Sequence, residues 1–290
     1  MQLRRWIVAV VSALMMNAAA ARADDSPVVM GQINISFYAV TAAVVQEVLE
    51  RLGHRVAVRT GSHGEMFPVL AKGEIDILVA AWLPSGHAVY WEQYGKDSVQ
   101  LATLYRDAQL YWAVPCYVPA AQVSGVADLK KPEVAQRMVK VIRGTAPDSG
   151  LAIGSRKIME KYRLENEGYE LVPGKREAWV AHLEQNLAAR RWFVMPFFRP
   201  NYLNLGADMR MLEEPFKLLG EASDGALVAH RKFVATVPRR TTEVLARVHL
   251  GLNAVAQMDR MVNVDKMSAR DAARAWMESN RSTVDGWLEN

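Results

Sequence analysis

A single cysteine, Cys116, in 290 residues excludes an internal disulfide, so stability must come from a hydrophobic core. Six histidines are dispersed, none at metal-ligand spacing from another histidine or from the cysteine, and no metal site is expected. The methionines are scattered, which suits core filling rather than copper binding. Catalytic signatures are missing too: there is no G-x-S-x-G elbow, no H-E-x-x-H, no P-loop and no G-x-G-x-x-G following a strand. An enzyme reading therefore has no support, and no cofactor is expected. Low-complexity runs, heptad series and solenoid-period repeats are also lacking. Charge of one sign is not in excess, since 35 Lys and Arg against 31 Asp and Glu leave +4. Three of those charges, Arg4, Arg5 and Arg22, precede residue 24, so residues 24–290 carry 4 − 3 = +1. Nothing in that balance points to nucleic acid as a partner.

What is present begins with an export pattern. Arg4 and Arg5 precede an apolar run from Trp6 to about Met16, and Ala21-Arg22-Ala23 supplies a small-x-small cleavage site. The run is too short for a stable membrane anchor. Residues 1–23 are expected to be a signal peptide cleaved near Ala23, releasing an exported, soluble protein.

From Val28 onward, strand-like and helix-like periods alternate. Val28–Phe37 reads as a strand, Thr41–Leu52 as a helix stopped by Gly53, His54–Thr60 as a strand and Met66–Ala71 as a helix. A continuous apolar strand, Ile75–Ala81, then runs into Trp82-Leu83-Pro84. It reads as a buried parallel strand whose carboxyl end presents one indole to a crevice, the place where open α/β sheets bind ligands. Ala113–Val118 is another strand-like run. A second set follows: strands at Val139–Arg143, Tyr169–Val172 and Trp192–Met195, with helices at Ser149–Tyr162 and Glu177–Arg190. Gly225–His230 is a last strand before a helical tail. The order predicts an α/β protein of two lobes with a ligand cleft between them. We divide it into residues 24–115 for the first lobe, 116–224 for the second, and 225–290 returning to the first with C-terminal helices.

Several motifs, in order and spacing, resemble those of the periplasmic substrate-binding proteins of ABC importers for glycine betaine, proline betaine, choline and carnitine. They are Leu49-Glu50-x-Leu52-Gly53, Lys72-Gly73-Glu74-Ile75-Asp76 leading to Trp82-Leu83-Pro84 and His87, Trp112-Ala113-Val114-Pro115-x-Tyr117-Val118, Asp128-Leu129, Phe198-Arg199-Pro200-Asn201-Tyr202, and Ala272-Ala273-x-x-Trp276 to Val284-Asp285-Gly286-Trp287. The resemblance implies a type II periplasmic-binding-protein fold, a small-molecule ligand, a membrane permease as partner and a monomeric state. It also implies an aromatic cage that holds a quaternary ammonium by cation–π attraction.

Trp82 occupies one cage wall by that resemblance, and Phe198 falls where the second lobe of relatives usually has a Trp. His87 matches a histidine of relatives; it lines the site or hydrogen-bonds its own loop. Tyr202, Phe37, Tyr38 and Tyr111 are further contact candidates by analogy, whereas Trp112, Trp179, Trp276 and Trp287 read as core. In the Arg143–Gly150 loop, Asp148 or Ser149 should cap the following helix, whose free N–H groups suit an anionic ligand end. Arg143 could pair a carboxylate bidentately, with Arg199 a weaker candidate. That loop brings no ring, so the cage looks incomplete. The resemblance implies a betaine- or choline-like ligand, but the diluted cage predicts that glycine betaine and choline themselves bind weakly and that an amino acid, a substituted betaine or another polar zwitterion is preferred. A role as a sensor-associated binding protein is a further alternative.

Overall fold

The computed structural model describes residues 26–289, so the expected signal peptide lies outside the described residues. Nine strands and eleven helices follow in chain order: β1 (Val28–Ile33), α1 (Ser36–Arg51), β2 (Val56–Gly61), α2 (His63–Ala71), β3 (Ile77–Leu83), α3 (Ala88–Tyr94), β4 (Ser98–Pro115), α4 (Pro132–Ala135), β5 (Val141–Arg143), α5 (Gly150–Tyr162), β6 (Glu170–Val172), α6 (Arg176–Ala188), β7 (Met195–Arg199), β8 (Met209–Met211), β9 (Ser223–His230), α7 (Arg231–Thr236), α8 (Arg239–Arg247), α9 (Leu252–Asn263), α10 (Ala269–Ser279) and α11 (Arg281–Leu288).

The first lobe is a sheet in the order β2-β1-β3-β9-β4. β1 pairs in parallel with β2 and β3, as the β-α-β-α-β reading requires, while β9 enters antiparallel between β3 and β4. Every residue of β3 is buried, which is why its seven positions are uniformly apolar. α1 is apolar nearly all round because it is covered twice, by β1 and β3 on one side and by α9 and α10 on the other. Arg270 and Arg274 of α10 tie it down by bonding Glu47, Arg270 also reaching Glu50. The second lobe is built on the β5–β6 parallel pair, α5, α6, and β7 and β8 against the end of β4.

β4 belongs to both lobes. Through Ala108 it pairs with β9, and from Gln109 onward it pairs with β7. The predicted strand Ala113–Val118 captured only its last residues. Arg106 and Asp107 interrupt the apolar alternation, and Asp107 sits at φ 60°, a conformation that Asp tolerates. Pairing there is irregular, with register shifts on both sides of Tyr105.

Two other boundaries move in ways that matter for the site. β1 stops at Ile33, so Phe37 and Tyr38 lie in the first turn of α1 rather than at a strand end. β7 begins at Met195, where the sequence pattern predicts a strand over Trp192–Met195, so Phe197 and Phe198 are strand residues. Their side chains therefore point to opposite faces of the sheet.

Candidate ligand-binding site

A cavity of about 440 Å³ lies between the lobes. The first lobe supplies Asn34 and Ile35 just before α1, Phe37 and Tyr38 in its first turn, His63 at the start of α2, and Trp82, Gly86 and His87 at the end of β3. Facing them are Leu110 and Phe198 from the paired strands β4 and β7, the loop into α5 (Thr145 to Leu151 except Asp148), and the loop into α6 (Pro173 to Arg176) with Trp179.

Five aromatic rings converge on this space. Phe37 stands 5.6 Å from Trp82 and 5.3 Å from Phe198, centroid to centroid. Trp82 and Phe198 are 6.4 Å apart at 62°. Trp179 stacks on the far side of the group, 5.6 Å from Phe198 at 24°, and Tyr38 adjoins Phe37 at 4.0 Å. Both indole N–H groups are bound within the protein. Trp82 donates to the Tyr105 hydroxyl at 2.8 Å, and Trp179 donates to the Pro196 carbonyl at 3.0 Å. Ring surfaces are what remain for a guest, and the ring faces carry the negative side of the quadrupole that attracts a cation.

The polar side of the cavity is arranged around two histidines. The Trp82 backbone N–H donates to His87 Nδ1 at 2.8 Å, so that nitrogen is an acceptor and the His87 proton lies on Nε2. From there it donates to His63 Nδ1, also at 2.8 Å, which puts the proton of neutral His63 on Nε2. Burial pushes both rings down: His63 falls to about 4, and His87 is held well below the ordinary range with His63 adding to the effect. The pair is neutral at physiological pH. His63 Nε2 is buried without a partner among the described residues.

Opposite, Ser149 caps α5 by accepting the Ala152 N–H at 3.1 Å and donating to the Ala146 carbonyl at 2.8 Å. The N–H groups of Gly150 and Leu151, in the first turn and at the cavity wall, have no intrahelical acceptor. Lys175 and Arg176 add positive charge. Among the described residues, no Asp or Glu lines the cavity.

Of the nine candidates from the sequence, the structure brings Trp82, His87, Phe198, Phe37, Tyr38 and Ser149 together in the lining. His87 uses both ring nitrogens on protein partners, so only its ring faces the space. Tyr111, Tyr202 and Arg143 are not in the lining. Tyr111 pairs with Phe197 on the face of β4 opposite Leu110 and Phe198, its centroid 5.8 Å from that ring, and burial pushes its hydroxyl to about 12. Tyr202 lies under the Arg176 guanidinium, 5.3 Å away, and its N–H binds Asp259 at 2.7 Å. Arg143 lowers the pKa of His182, which burial already depresses. Arg199 donates to the Asp107 carbonyl at 3.2 Å.

Sequence reasoning missed Trp179 and His63. Trp179 is 1% exposed and its helical spacing reads as core, yet its ring also walls the cavity. The available signal was its place in the first turn after Pro173-Gly174, where a helix start faces the cleft.

Residues 26–279 match the family model described as the substrate binding domain of the ABC-type glycine betaine transport system. The chain belongs to that family. It is a family of extracytoplasmic binding proteins rather than enzymes, whose members take small ligands and meet a permease. Among curated proteins, the glycine betaine/carnitine transport binding protein of Listeria monocytogenes serotype 1/2a is 19% identical over 162 residues, 56% of this chain and 53% of the relative. The match thus spans about half of that relative's length. The glycine betaine, L-proline ABC transporter binding protein of Borrelia burgdorferi superposes with a TM-score of 0.82 at 21% identity, covering 91% of this chain and 97% of the other. A lactococcal protein in its closed-liganded conformation with glycine betaine gives 0.80 at 21% identity, covering 91% and 100%. These likenesses establish the two-lobed fold. Among the described residues, no helix is long and apolar enough to cross a membrane.

Proposed function

We propose that this chain captures a small quaternary-ammonium carboxylate of the betaine type and delivers it to the permease of an ABC importer. The observation that carries the reading is the polarity of the cavity. Aromatic rings occupy one side, while Lys175, Arg176 and the amino end of α5 occupy the other, with no acidic lining residue among those described. A methylated ammonium has no N–H to donate and depends on π faces, which five rings supply. A carboxylate suits the cationic side and the free helix N–H groups. Choline has the same ammonium but no carboxylate, so the cationic side gives it less. A primary ammonium needs several acceptors, and a lining without carboxylates offers few, which disfavours an ordinary amino acid. Trp179 supports the betaine reading further, since it adds the ring that the loop into α5 lacks.

The protein acts as an exported monomer in the periplasm, without changing its ligand chemically. Calorimetry and thermal shift over glycine, sarcosine, dimethylglycine, glycine betaine, carnitine and choline test the reading. Affinity should rise with each methyl on nitrogen and fall when the carboxylate is absent. Tighter binding of glycine than of glycine betaine would defeat it.

A further inference from the structure

Asp148 sits in the middle of the cavity-lining loop of the second lobe, yet it is not among the lining residues. Its side chain turns the other way, across the cleft. The Gly64 N–H of α2, in the first lobe, donates to Asp148 Oδ2 at 3.1 Å, and the Ser62 side chain hydrogen-bonds the same carboxylate. Ser62 is the N-cap of α2, so a carboxylate from one lobe completes the helix terminus of the other. The Tyr90 hydroxyl of the first lobe donates to the Asp148 carbonyl at 2.7 Å, adding a third bond at the same residue. Two residues on, the lobes approach so closely that a Cβ at Gly150 would lie 2.1 Å from the Gly86 carbonyl oxygen. Burial alone would push the Asp148 carboxyl up, but the Gly64 N–H, the charge that His63 takes on in acid, and Ser62 hold it below the usual range.

We propose that Asp148 is a positioning residue for ligand retention: it latches the second-lobe loop to the amino end of α2 in the closed form and sets affinity without touching the ligand. Opening the cleft carries Asp148 away from Gly64 and Ser62, because they belong to different lobes. Ligand contacts made by Thr145, Ser149 and Gly150 and the latch made by Asp148 share one loop, so whatever orders the loop favours closure. The latch acts on release more than on encounter, since it stabilises the closed form, from which ligand must escape, whether or not ligand is bound.

The test compares wild type, Asp148→Ala and Asp148→Asn in the full mature chain. Spin labels at positions 72 and 157, both exposed, report the interlobe distance in a background with Cys116→Ser. Stopped-flow tryptophan fluorescence with glycine betaine gives the rates. Removing a charged hydrogen-bond acceptor should raise the dissociation rate of Asp148→Ala about tenfold, leave the association rate within about twofold, and lower the short-distance population. Asp148→Asn, which keeps an acceptor for Gly64, should restore part of it. Equal dissociation rates and equal short-distance populations, with and without ligand, would overturn the proposal. The inference rests on the cavity being the ligand site. If glycine betaine leaves wild-type distances unmoved, that ligand reading fails, and the ligand-free comparison of the variants still judges Asp148.

Discussion

Phe198→Leu separates cation–π attraction from mere apolar contact. Phe198 stands at the centre of the ring group, with Phe37, Trp179 and Trp82 at 5.3, 5.6 and 6.4 Å. Leucine keeps an apolar side chain but has no π face. A desolvated ring contributes about 1–2 kcal/mol to a bound cation, Phe less than Trp. At about 1.4 kcal/mol per tenfold, glycine betaine should lose roughly 5- to 30-fold in affinity. Its carbon isostere, tert-butylacetate, has the same shape and carboxylate but no cationic head, and it should lose no more than about twofold. Aromatic pairs contribute about 0.5–1.5 kcal/mol each beyond area. With three such pairs, melting should show a loss of roughly 1.5–4.5 kcal/mol, below the roughly 5–15 kcal/mol of a typical folded protein, so the variant should stay folded. Calorimetry with both ligands on both proteins gives the double difference. If the two ligands weaken equally, the rings act only as an apolar wall and the charge argument is wrong.

Trp179→Ala should lose most glycine betaine affinity, whereas Tyr111→Phe should bind like wild type because Tyr111 lies on the other face of its strand; titration calorimetry ranks the two. Gly150→Ala should obstruct closure, since its Cβ would meet backbone rather than a movable side chain; solution scattering with saturating glycine betaine should show a larger radius of gyration than wild type. The buried His63–His87 pair predicts a pH effect on stability. Between the ordinary histidine value of 6.5 and about 4, the unfolded chain takes up protons that folded His63 refuses, so stability falls as pH falls through that window. Thermal melts from neutral pH downward should show the decline, and it should be shallower in His63→Gln; equal slopes would argue against it.

The sequence carried the parts of this molecule that depend on neighbours along the chain. The apolar run into Trp82-Leu83-Pro84 announced a strand end at a crevice, and Ser149 announced its helix cap. The alternation of strands and helices announced two α/β lobes, which the family match and the structural neighbours support. Features set by distant pairing were hidden. Leu110 and Phe198 face the cavity while Tyr111 and Phe197 face away, a choice fixed by the β4–β7 register and invisible in either segment alone. Trp179 has the spacing of a core residue because it is one, and only the approach of the other lobe makes its ring a wall as well. Arg106 and Asp107 hid the length of β4 for a similar reason, since its continuity comes from β9 and β7 rather than from its own alternation.

That shared strand has a mechanical consequence. An eighteen-residue strand clamped at one end by β9 and at the other by β7 behaves as a torsion bar joining two stiff plates. The plates cannot separate by unzipping either end without breaking a ladder, so the compliance must lie where the pairing is irregular, around Tyr105 to Ala108. Stiffness at that short stretch, which touches the ring group through the Tyr105–Trp82 hydrogen bond, then bears on how readily the cleft works.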